Sequence, residues 1–135
     1  MYKTEYHVVL TPRYRYKLFT GGLKPYLEKV LKGLNGLDSD IEVLQANVQP
    51  DHVHMVIIIP PRLAVASVVQ FIKSQSAKRI RKRFAFLEKT MYGRGGIWST
   101  GYCVSSIGMN EKTIMAYVEH QGLEDTGRLQ VELGL

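Results

Sequence analysis

The sequence predicts an α+β fold of the ferredoxin-like (RRM-like) class, in which an antiparallel sheet carries its helices on one face. Short runs of branched aliphatic residues alternate with longer stretches whose apolar residues recur every three or four positions. Two of the predicted strands follow each other across a tight turn, and a helix separates that pair from the strand on either side. The resulting order is βαββαβ, and one further helix follows the last strand.

The first half of the chain contains three predicted strands and one helix. Residues 6–11 (YHVVLT) are predicted as the first strand, and residues 23–37 as an amphipathic helix whose last turns are weakened by two glycines. Residues 41–48 are the second predicted strand and residues 52–59 (HVHMVIII) the third. Proline and aspartate between these two strands favour a turn. The third strand is apolar on both faces beyond its start, which is typical of a central strand.

The second half is predicted to contain two helices and one strand. Residues 62–87 have the apolar spacing of a long helix, and residues 98–107 are predicted as the fourth strand. Asn110 is a favourable N-cap for a last helix that extends to Gln121. Gly122 stands just past that predicted end, where glycine commonly terminates helices.

Length and composition favour one globular domain over residues 1–135, since 45% of the residues are hydrophobic. The single cysteine, Cys103, excludes an internal disulfide, and no apolar run is long enough for a signal peptide or a membrane span. We therefore expect a cytoplasmic protein without a membrane partner. The formal net charge is +6, from 18 Lys and Arg against 12 Asp and Glu, which favours a polyanionic partner such as nucleic acid.

Two histidines are spaced to form half of a metal site. His52 and His54 are two positions apart on a predicted strand, so both imidazoles point to the same face, just after a turn. Histidine is a common metal ligand, but a third ligand would have to come from another part of the chain. The alternative is a pair of polar residues at the edge of a sheet, because such pairs are common.

The last predicted helix contains a tyrosine that is a candidate nucleophile. Tyr117 and Gln121 are four residues apart and therefore share one face of that helix. Among the eight tyrosines, Tyr117 alone has a metal-capable or amide side chain four residues further on. The alternative is a core tyrosine that packs with Ile114 and Val118.

A basic run on the predicted long helix is a candidate nucleic-acid surface. Residues 73–83 (KSQSAKRIRKR) contain six basic side chains. The predicted DNA-binding residues are Lys73, Ser74, Lys78, Arg79, Arg81, Lys82 and Arg83. An ordinary solvated helix face is the alternative, but the positive net charge favours phosphate binding.

In combination, these motifs resemble those of the single-tyrosine HUH-type transposases of the smallest bacterial and archaeal insertion sequences, to which REP-associated tyrosine transposases are related. Residues 50–55 (PDHVHM) resemble the family's pair of histidines around a bulky apolar residue, and residues 117–121 (YVEHQ) its helix with tyrosine and glutamine. Further sequence similarity to the family occurs at residues 14–17 (YRYK) and 71–77 (FIKSQSA), and at Trp98 with Gly101-Tyr102. The likeness extends from about residue 5 to residue 125.

The resemblance implies a function and a role for each site residue. Tyr117 would be the catalytic nucleophile, and His52, His54 and Gln121 would bind a divalent metal, Mg²⁺ or Mn²⁺. The enzyme would cleave and rejoin single-stranded DNA with hairpin ends through a 5′-phosphotyrosine intermediate. It would act as a homodimer that exchanges the tyrosine helix between subunits, with Gly108 in the flexible connection. No nucleotide cofactor is expected, because residues 93–96 (GRGG) lack the Lys-Ser or Lys-Thr of a P-loop.

Three other interpretations remain open from the sequence. The first is a non-enzymatic, RRM-like module that binds single-stranded nucleic acid, although its central strands would normally carry aromatic residues. The second is an HUH replication initiator or relaxase that nicks DNA. The third is a structural zinc protein, for which Cys103, His7 and His120 are the spare ligands. His120, one position before Gln121, could be a bystander, a fourth ligand or a proton carrier. We favour a bystander, because the position three residues after Tyr117 lies only beside the face of that tyrosine.

Overall fold

Four strands form one antiparallel sheet in the computed structural model, which describes residues 4–15, 17–34, 40–89, 96–106, 108 and 110–132. The strands are β1 (Thr4–Leu10), β2 (Glu42–Gln49), β3 (His52–Ile59) and β4 (Cys103–Ser105). Their spatial order is β2-β3-β1-β4. This arrangement confirms the predicted ferredoxin-like class, because a helix crosses over between β1 and β2 and another between β3 and β4.

The central strands β1 and β3 divide their side chains between two buried faces. Val8 and Leu10 point to one face of the sheet, and Val9 points to the other. On β3, the odd-numbered residues from Val53 to Ile59 join the face of Val8, so His52 and His54 must point to the face of Val9. The alternation therefore sets both histidines on the face opposite the main core.

The main core lies between the sheet and helices α1 (Leu23–Gly33) and α2 (Val65–Arg83). Helix α2 is shorter than the predicted range of 62–87, because its N-cap is Ala64 and the chain leaves helical geometry at Phe84. A short 3₁₀ helix, Ala85–Lys89, follows. No helix in the described ranges is both long and apolar enough to cross a bilayer.

Helix α3 (Glu111–Glu132) covers the other face of the sheet. Ile114 and Val118 pack there against Val9 in a second, smaller apolar cluster. The predicted cap is confirmed, since the Thr113 backbone N–H donates to Asn110 Oδ1 at 2.8 Å. The predicted end at Gln121 is wrong: the helix continues through Gly122 and ends at Glu132.

Four further elements differ from their predicted bounds, among them β2, which runs over Glu42–Gln49 rather than 41–48. Strand β1 runs over Thr4–Leu10 rather than 6–11, because the chain turns beyond Leu10 into a short 3₁₀ helix, Arg13–Arg15. Helix α1 ends at Gly33 rather than at residue 37, and residues 35–39 lie outside the described part of the chain.

The fourth strand is much shorter than its predicted range of 98–107. Trp98 forms only an isolated bridge with Pro12, and residue 107 is not among those described. The carbonyl groups of Ser99 and Gly101 accept hydrogen bonds from Lys73 Nζ, at 2.8 and 2.9 Å. The stretch also pairs with the chain beyond β1, since the Arg13 N–H donates to the Ile97 carbonyl and the Ser99 N–H donates to the Thr11 carbonyl, both at 2.9 Å.

Candidate active site

His52 and His54 lie at the start of β3, opposite Gln49 and Asn47 of β2. Both histidines face a pocket of about 310 Å³ between the sheet and the first turns of α3. The pocket is lined by Asn47, Gln49, His52, His54, Glu111, Ile114 and Met115. The predicted convergence of the two imidazoles on one face is therefore present, and it occurs where side-chain oxygens are also available.

Neighbouring side chains engage one ring nitrogen of each histidine. His52 Nδ1 lies 2.9 Å from Asp51 Oδ1, and His54 Nε2 lies 3.2 Å from His7 Nδ1. Burial lowers the pKa of His54, and the adjacent His7 and His52 lower it further. A low pKa keeps the imidazole of His54 neutral, and a metal ligand requires this form.

The two histidines alone do not make a complete set of metal ligands. No group of three His, Cys, Asp or Glu side chains in the described ranges is arranged to hold a metal ion. The pocket adds the carboxylate of Glu111 and the amides of Asn47 and Gln49. Two imidazoles with carboxylate and amide oxygens suit Mn²⁺, and Mg²⁺ with more water, so the donor set fits the expected ion.

Tyr117 lies on the same face of the sheet, but its contacts are on the β4 side. The ring packs with Cys103 and with the cluster of Val9 and Val118. Its hydroxyl is buried, and no hydrogen-bond partner for it occurs among the described residues. Burial raises the pKa of Tyr117 well above its usual value, and Cys103, Asp125 and Glu124 add to this effect. The phenol is thus held protonated, away from solvent.

Gln121 shares a face of α3 with Tyr117, as predicted, and both side chains meet Gly101. A Cβ atom at Gly101 would lie 2.9 Å from Gln121 Oε1 and 3.3 Å from Tyr117 Oη. Gln121 is buried, and its Nε2 donates to Glu124 at 3.4 Å. Neither Tyr117 nor Gln121 lines the histidine pocket. Within one chain, the predicted site residues therefore lie in two separate groups, His52 with His54 and Tyr117 with Gln121.

A buried carboxylate, Asp125, fastens this part of α3 to the rest of the molecule. The Tyr14 backbone N–H donates to Asp125 Oδ2 at 3.1 Å, and the Ser99 hydroxyl donates to the same oxygen. Tyr14 has a positive φ of 66°, which an L-residue rarely adopts. No sequence motif pointed to Asp125, since its partners are 26 and 111 residues distant.

The basic helix does not present all its predicted DNA-binding residues in the same way. Lys78, Lys82 and Arg83 are exposed. Lys73 instead turns inward to the carbonyl groups near β4, and burial lowers its pKa although the nearby Asp125 opposes the shift. Arg79 donates to the Gln75 side chain at 3.0 Å.

A second pocket, of about 290 Å³, lies between α2 and the segment before β4. Lys73, Ser74 and Arg81 contribute to its lining. Six of the seven predicted residues therefore form two groups, an exposed cationic surface and a cleft beside it, and Arg79 belongs to neither.

His120 lies on α3, one residue before Gln121, and its side chain is exposed. His120 Nε2 lies 3.1 Å from Oε1 of Glu124, whose other carboxylate oxygen accepts from Gln121 Nε2. The expectation that His120 is a bystander stays a prediction.

Comparisons with known proteins give one consistent result. The family model described as "Transposase IS200 like" matches residues 1–121. The transposase for insertion sequence element IS200 of Salmonella typhimurium is 32% identical over 121 residues, covering 90% of this chain and 78% of that protein. The ISDra2 transposase TnpA of Deinococcus radiodurans is 29% identical over 122 residues, covering 90% and 86%.

Solved structures show the same relationship. A crystal structure of a candidate transposase from Deinococcus radiodurans R1 superposes with a TM-score of 0.75 at 28% identity, covering 90% of this chain and 92% of that one. A REP-associated tyrosine transposase bound to a REP hairpin shares the fold, with a TM-score of 0.52 at 18% identity, covering 93% and 68%. With the family match over residues 1–121, the chain belongs to the IS200-like transposase family, whose activity is the cleavage and transfer of DNA.

Proposed function

We propose that this transposase cleaves and rejoins single-stranded DNA through a covalent bond between Tyr117 and a 5′-phosphate. The observation that carries the proposal is the pair of half-sites on one face of the sheet. One half has two imidazoles at a polar pocket, and the other has a tyrosine and a glutamine on one helix face. Together they supply a nucleophile and ligands for a divalent ion.

In the proposed cleavage step, Tyr117 Oη attacks the scissile phosphorus and the bond to the 3′-oxygen breaks. The phenol loses its proton, and the departing oxygen gains one to become a 3′-hydroxyl. Rejoining reverses this step: a different 3′-hydroxyl attacks the phosphotyrosine and releases the Tyr117 phenol. Each step exchanges one phosphodiester bond for another, so no nucleotide has to be hydrolysed.

His52, His54 and Gln121 would hold Mg²⁺ or Mn²⁺, which when bound offsets negative charge at the phosphate and helps to orient it. Neighbouring residues favour the form of each histidine that can bind a metal. Asp51 accepts from one ring nitrogen of His52 and leaves the other available. The lowered pKa of His54 keeps its imidazole neutral.

A homodimer that exchanges the tyrosine helix would join the two half-sites. In one chain, the Tyr117 hydroxyl is buried beside Gly101 and does not line the histidine pocket. A tyrosine stored in this way cannot reach DNA, so helix α3 must move before the reaction. The exposed Gly108, just before the helix, has space around it and can take up such a movement.

Single-stranded DNA would follow the basic helix α2. Its exposed Lys78, Lys82 and Arg83 are available to phosphates, and Arg81 and Ser74 line the adjacent cleft. The hairpin-bound fold neighbour motivates the choice of a hairpin substrate.

The affinity of the protein for single-stranded DNA should fall steeply as the salt concentration rises. The fall should be less steep once Lys78 and Lys82 are replaced by alanine. The log–log slope should decrease by roughly 0.7 for each phosphate that is no longer neutralised.

A cleavage assay on a denaturing gel tests the proposed reaction. Labelled single-stranded DNA with the element's flanking hairpin is incubated with the protein and Mg²⁺ or Mn²⁺. We expect a covalent protein–DNA band that requires the metal and is absent with Tyr117→Phe. Tyr26→Phe is the matched control, because Tyr26 lies on α1 on the other side of the sheet. A band that persists with Tyr117→Phe would show that another residue is the nucleophile.

The non-enzymatic RRM-like alternative has less support than the transposase reaction. RRM-type binding uses aromatic residues on an open face of the sheet. Here Val9 on that face is buried under Ile114 and Val118 of α3. Tight binding to single strands without any covalent product would favour this alternative.

A further inference from the structure

We infer that His7 is a positioning residue for the metal site: it accepts a hydrogen bond from His54 and so fixes the ring of that ligand. The inference rests on the proposed role of His54 as a metal ligand. His7 belongs to β1, 47 residues away from His54 in sequence, and no sequence motif connects the two.

The sheet register brings these two imidazoles together. Val9 pairs with His54 and His7 pairs with Val56, so His7 and His54 are diagonal neighbours on one face of β1 and β3. His7 Nδ1 lies 3.2 Å from His54 Nε2. The rings are stacked, with centroids 5.4 Å apart and planes inclined by 29°. Strand pairing and ring stacking together leave His54 little freedom to rotate.

The direction of this hydrogen bond follows from what a ligand requires. A neutral imidazole has one N–H and one lone pair, and a ligating histidine must offer the lone pair to the ion. If His7 Nδ1 donated, a neutral His54 would carry its proton on Nδ1 and have no lone pair left for metal. If His54 Nε2 donates to His7 Nδ1, the lone pair on His54 Nδ1 stays available. A ligating His54 therefore requires His7 as the acceptor.

The same arrangement occurs at the other histidine. His52 Nδ1 is 2.9 Å from a carboxylate oxygen of Asp51, so His52 donates there and keeps Nε2 available. Asp51 and His7 thus each engage one ring nitrogen of a predicted ligand. His7 itself does not line the pocket of His52 and His54, and these three histidines do not form a ligand group in the described structure. This geometry distinguishes a positioning residue from a third ligand.

Binding of Mn²⁺ to the full chain, measured by electron paramagnetic resonance, tests the inference without using activity. We expect His7→Ala to weaken Mn²⁺ binding about 10- to 100-fold, as loss of a hydrogen-bond partner of a ligand does elsewhere. His7→Asn should restore most of the affinity, because its amide oxygen can accept in place of Nδ1. His120→Ala is the matched control, since that histidine is exposed, and its affinity should equal that of the wild type.

Two further readouts separate the possible outcomes. In ¹⁵N spectra, His54 should carry its proton on Nε2 in the wild type and become a mixture of tautomers in His7→Ala. Pulsed resonance of bound Mn²⁺ should detect two imidazole nitrogens, and detection of three would overturn the inference by making His7 a ligand. Unchanged affinity in a folded His7→Ala would also overturn it. If the wild type bound no better than His52→Ala, the proposed metal site itself would fail, and the inference with it.

Discussion

The histidine pocket and the tyrosine helix face lie on the same side of one sheet but are prepared for chemistry to different degrees. His52 and His54 each have one ring nitrogen engaged by a neighbour, and both line an open polar pocket. Tyr117 has a buried hydroxyl without a partner among the described residues, in surroundings that raise its pKa. Under the proposed function, the histidines that would bind the metal are already oriented by their neighbours, whereas the tyrosine that would attack DNA is buried.

The difference follows from the elements that carry the two halves. The histidines belong to a central strand that pairs on both sides, with β1 and with β2. Tyr117 belongs to a helix that touches the sheet through a small apolar cluster and is held further along by Asp125. A paired central strand cannot shift without loss of its ladder hydrogen bonds, whereas α3 lies outside the sheet and packs on it and on the 3₁₀ helix Arg13–Arg15. We therefore expect α3, rather than β3, to be the part that moves.

The largest expected effects are on formation of the covalent DNA product and on Mn²⁺ binding, and they distinguish Tyr117 from His52. Tyr117→Phe should remove covalent DNA product, by at least about 1000-fold, and leave Mn²⁺ binding intact. His52→Ala should remove both product and Mn²⁺ binding, because the ligand pair is broken. Gel assays of adduct and titrations of Mn²⁺, run on the same preparations, measure the two effects. Loss of Mn²⁺ binding in Tyr117→Phe would mean that the halves are joined in the resting molecule.

The next largest effect concerns the attachment of the tyrosine helix. Asp125→Ala removes the acceptor of the Tyr14 N–H and of the Ser99 hydroxyl, inside the protein. We expect a loss of about 2–4 kcal/mol in the free energy of unfolding, since buried donors lose a charged acceptor. Urea denaturation measures this change. Glu119→Ala, at an exposed acid on the same helix, should change stability by less than about 0.5 kcal/mol.

The structural change caused by Asp125→Ala should be confined to the surroundings of Tyr117 and Gln121. Nuclear magnetic resonance signals of His52 and His54 should change little, because their attachments are to β1, β2 and the turn at Asp51. Signals from Tyr117 and Gln121 should change strongly. Equal changes in both regions would contradict the view that the halves are held independently.

The sequence predicted the fold and the strand of His52 and His54 more accurately than the helix of Tyr117. The bounds of β3 matched the prediction, because a strand bracketed by a proline turn and two prolines has clear local signals. The early end predicted for α3 was wrong, because the helix continues through Gly122 while Asp125 anchors it to distant parts of the chain. Local glycine propensity does not include such tertiary contacts.

The same limit applies within the site. His52 with His54, and Tyr117 with Gln121, could be named as candidates because each pair is close in sequence and has a fixed spacing. The proposed role of His7 depends on the register between β1 and β3, and the contacts of Asp125 depend on the packing of α3. Neither relationship leaves a pattern in a single sequence.

A smaller effect on stability is expected at Gly101, which lies before β4 and contacts Tyr117 and Gln121 of α3. In Gly101→Ala the new methyl group would press on Gln121 Oε1 and lie close to Tyr117 Oη. We expect a cost of about 1 kcal/mol in unfolding free energy, since the end of the Gln121 side chain can move aside. Gly108→Ala is the matched control, because nothing lies within 4 Å of its added Cβ. Equal stability of the two variants would mean that Tyr117 and Gln121 do not pack against Gly101 in solution.

The smallest effect concerns the stored hydroxyl of Tyr117. Tyr117→Phe removes a buried group without a described partner, so we expect unchanged stability or a gain of up to about 1 kcal/mol at neutral pH.

The stability difference between Tyr117→Phe and the wild type should grow at alkaline pH. Burial raises the pKa of Tyr117 in the folded chain, so above pH 10, the ordinary value for tyrosine, the unfolded chain releases this proton first and wild-type stability falls. Tyr117→Phe should escape that part of the loss, whereas Tyr26→Phe should not. Parallel stability curves for the two variants between about pH 9 and pH 11 would place Tyr117 in solvent, and the contrast with the open histidine pocket would disappear.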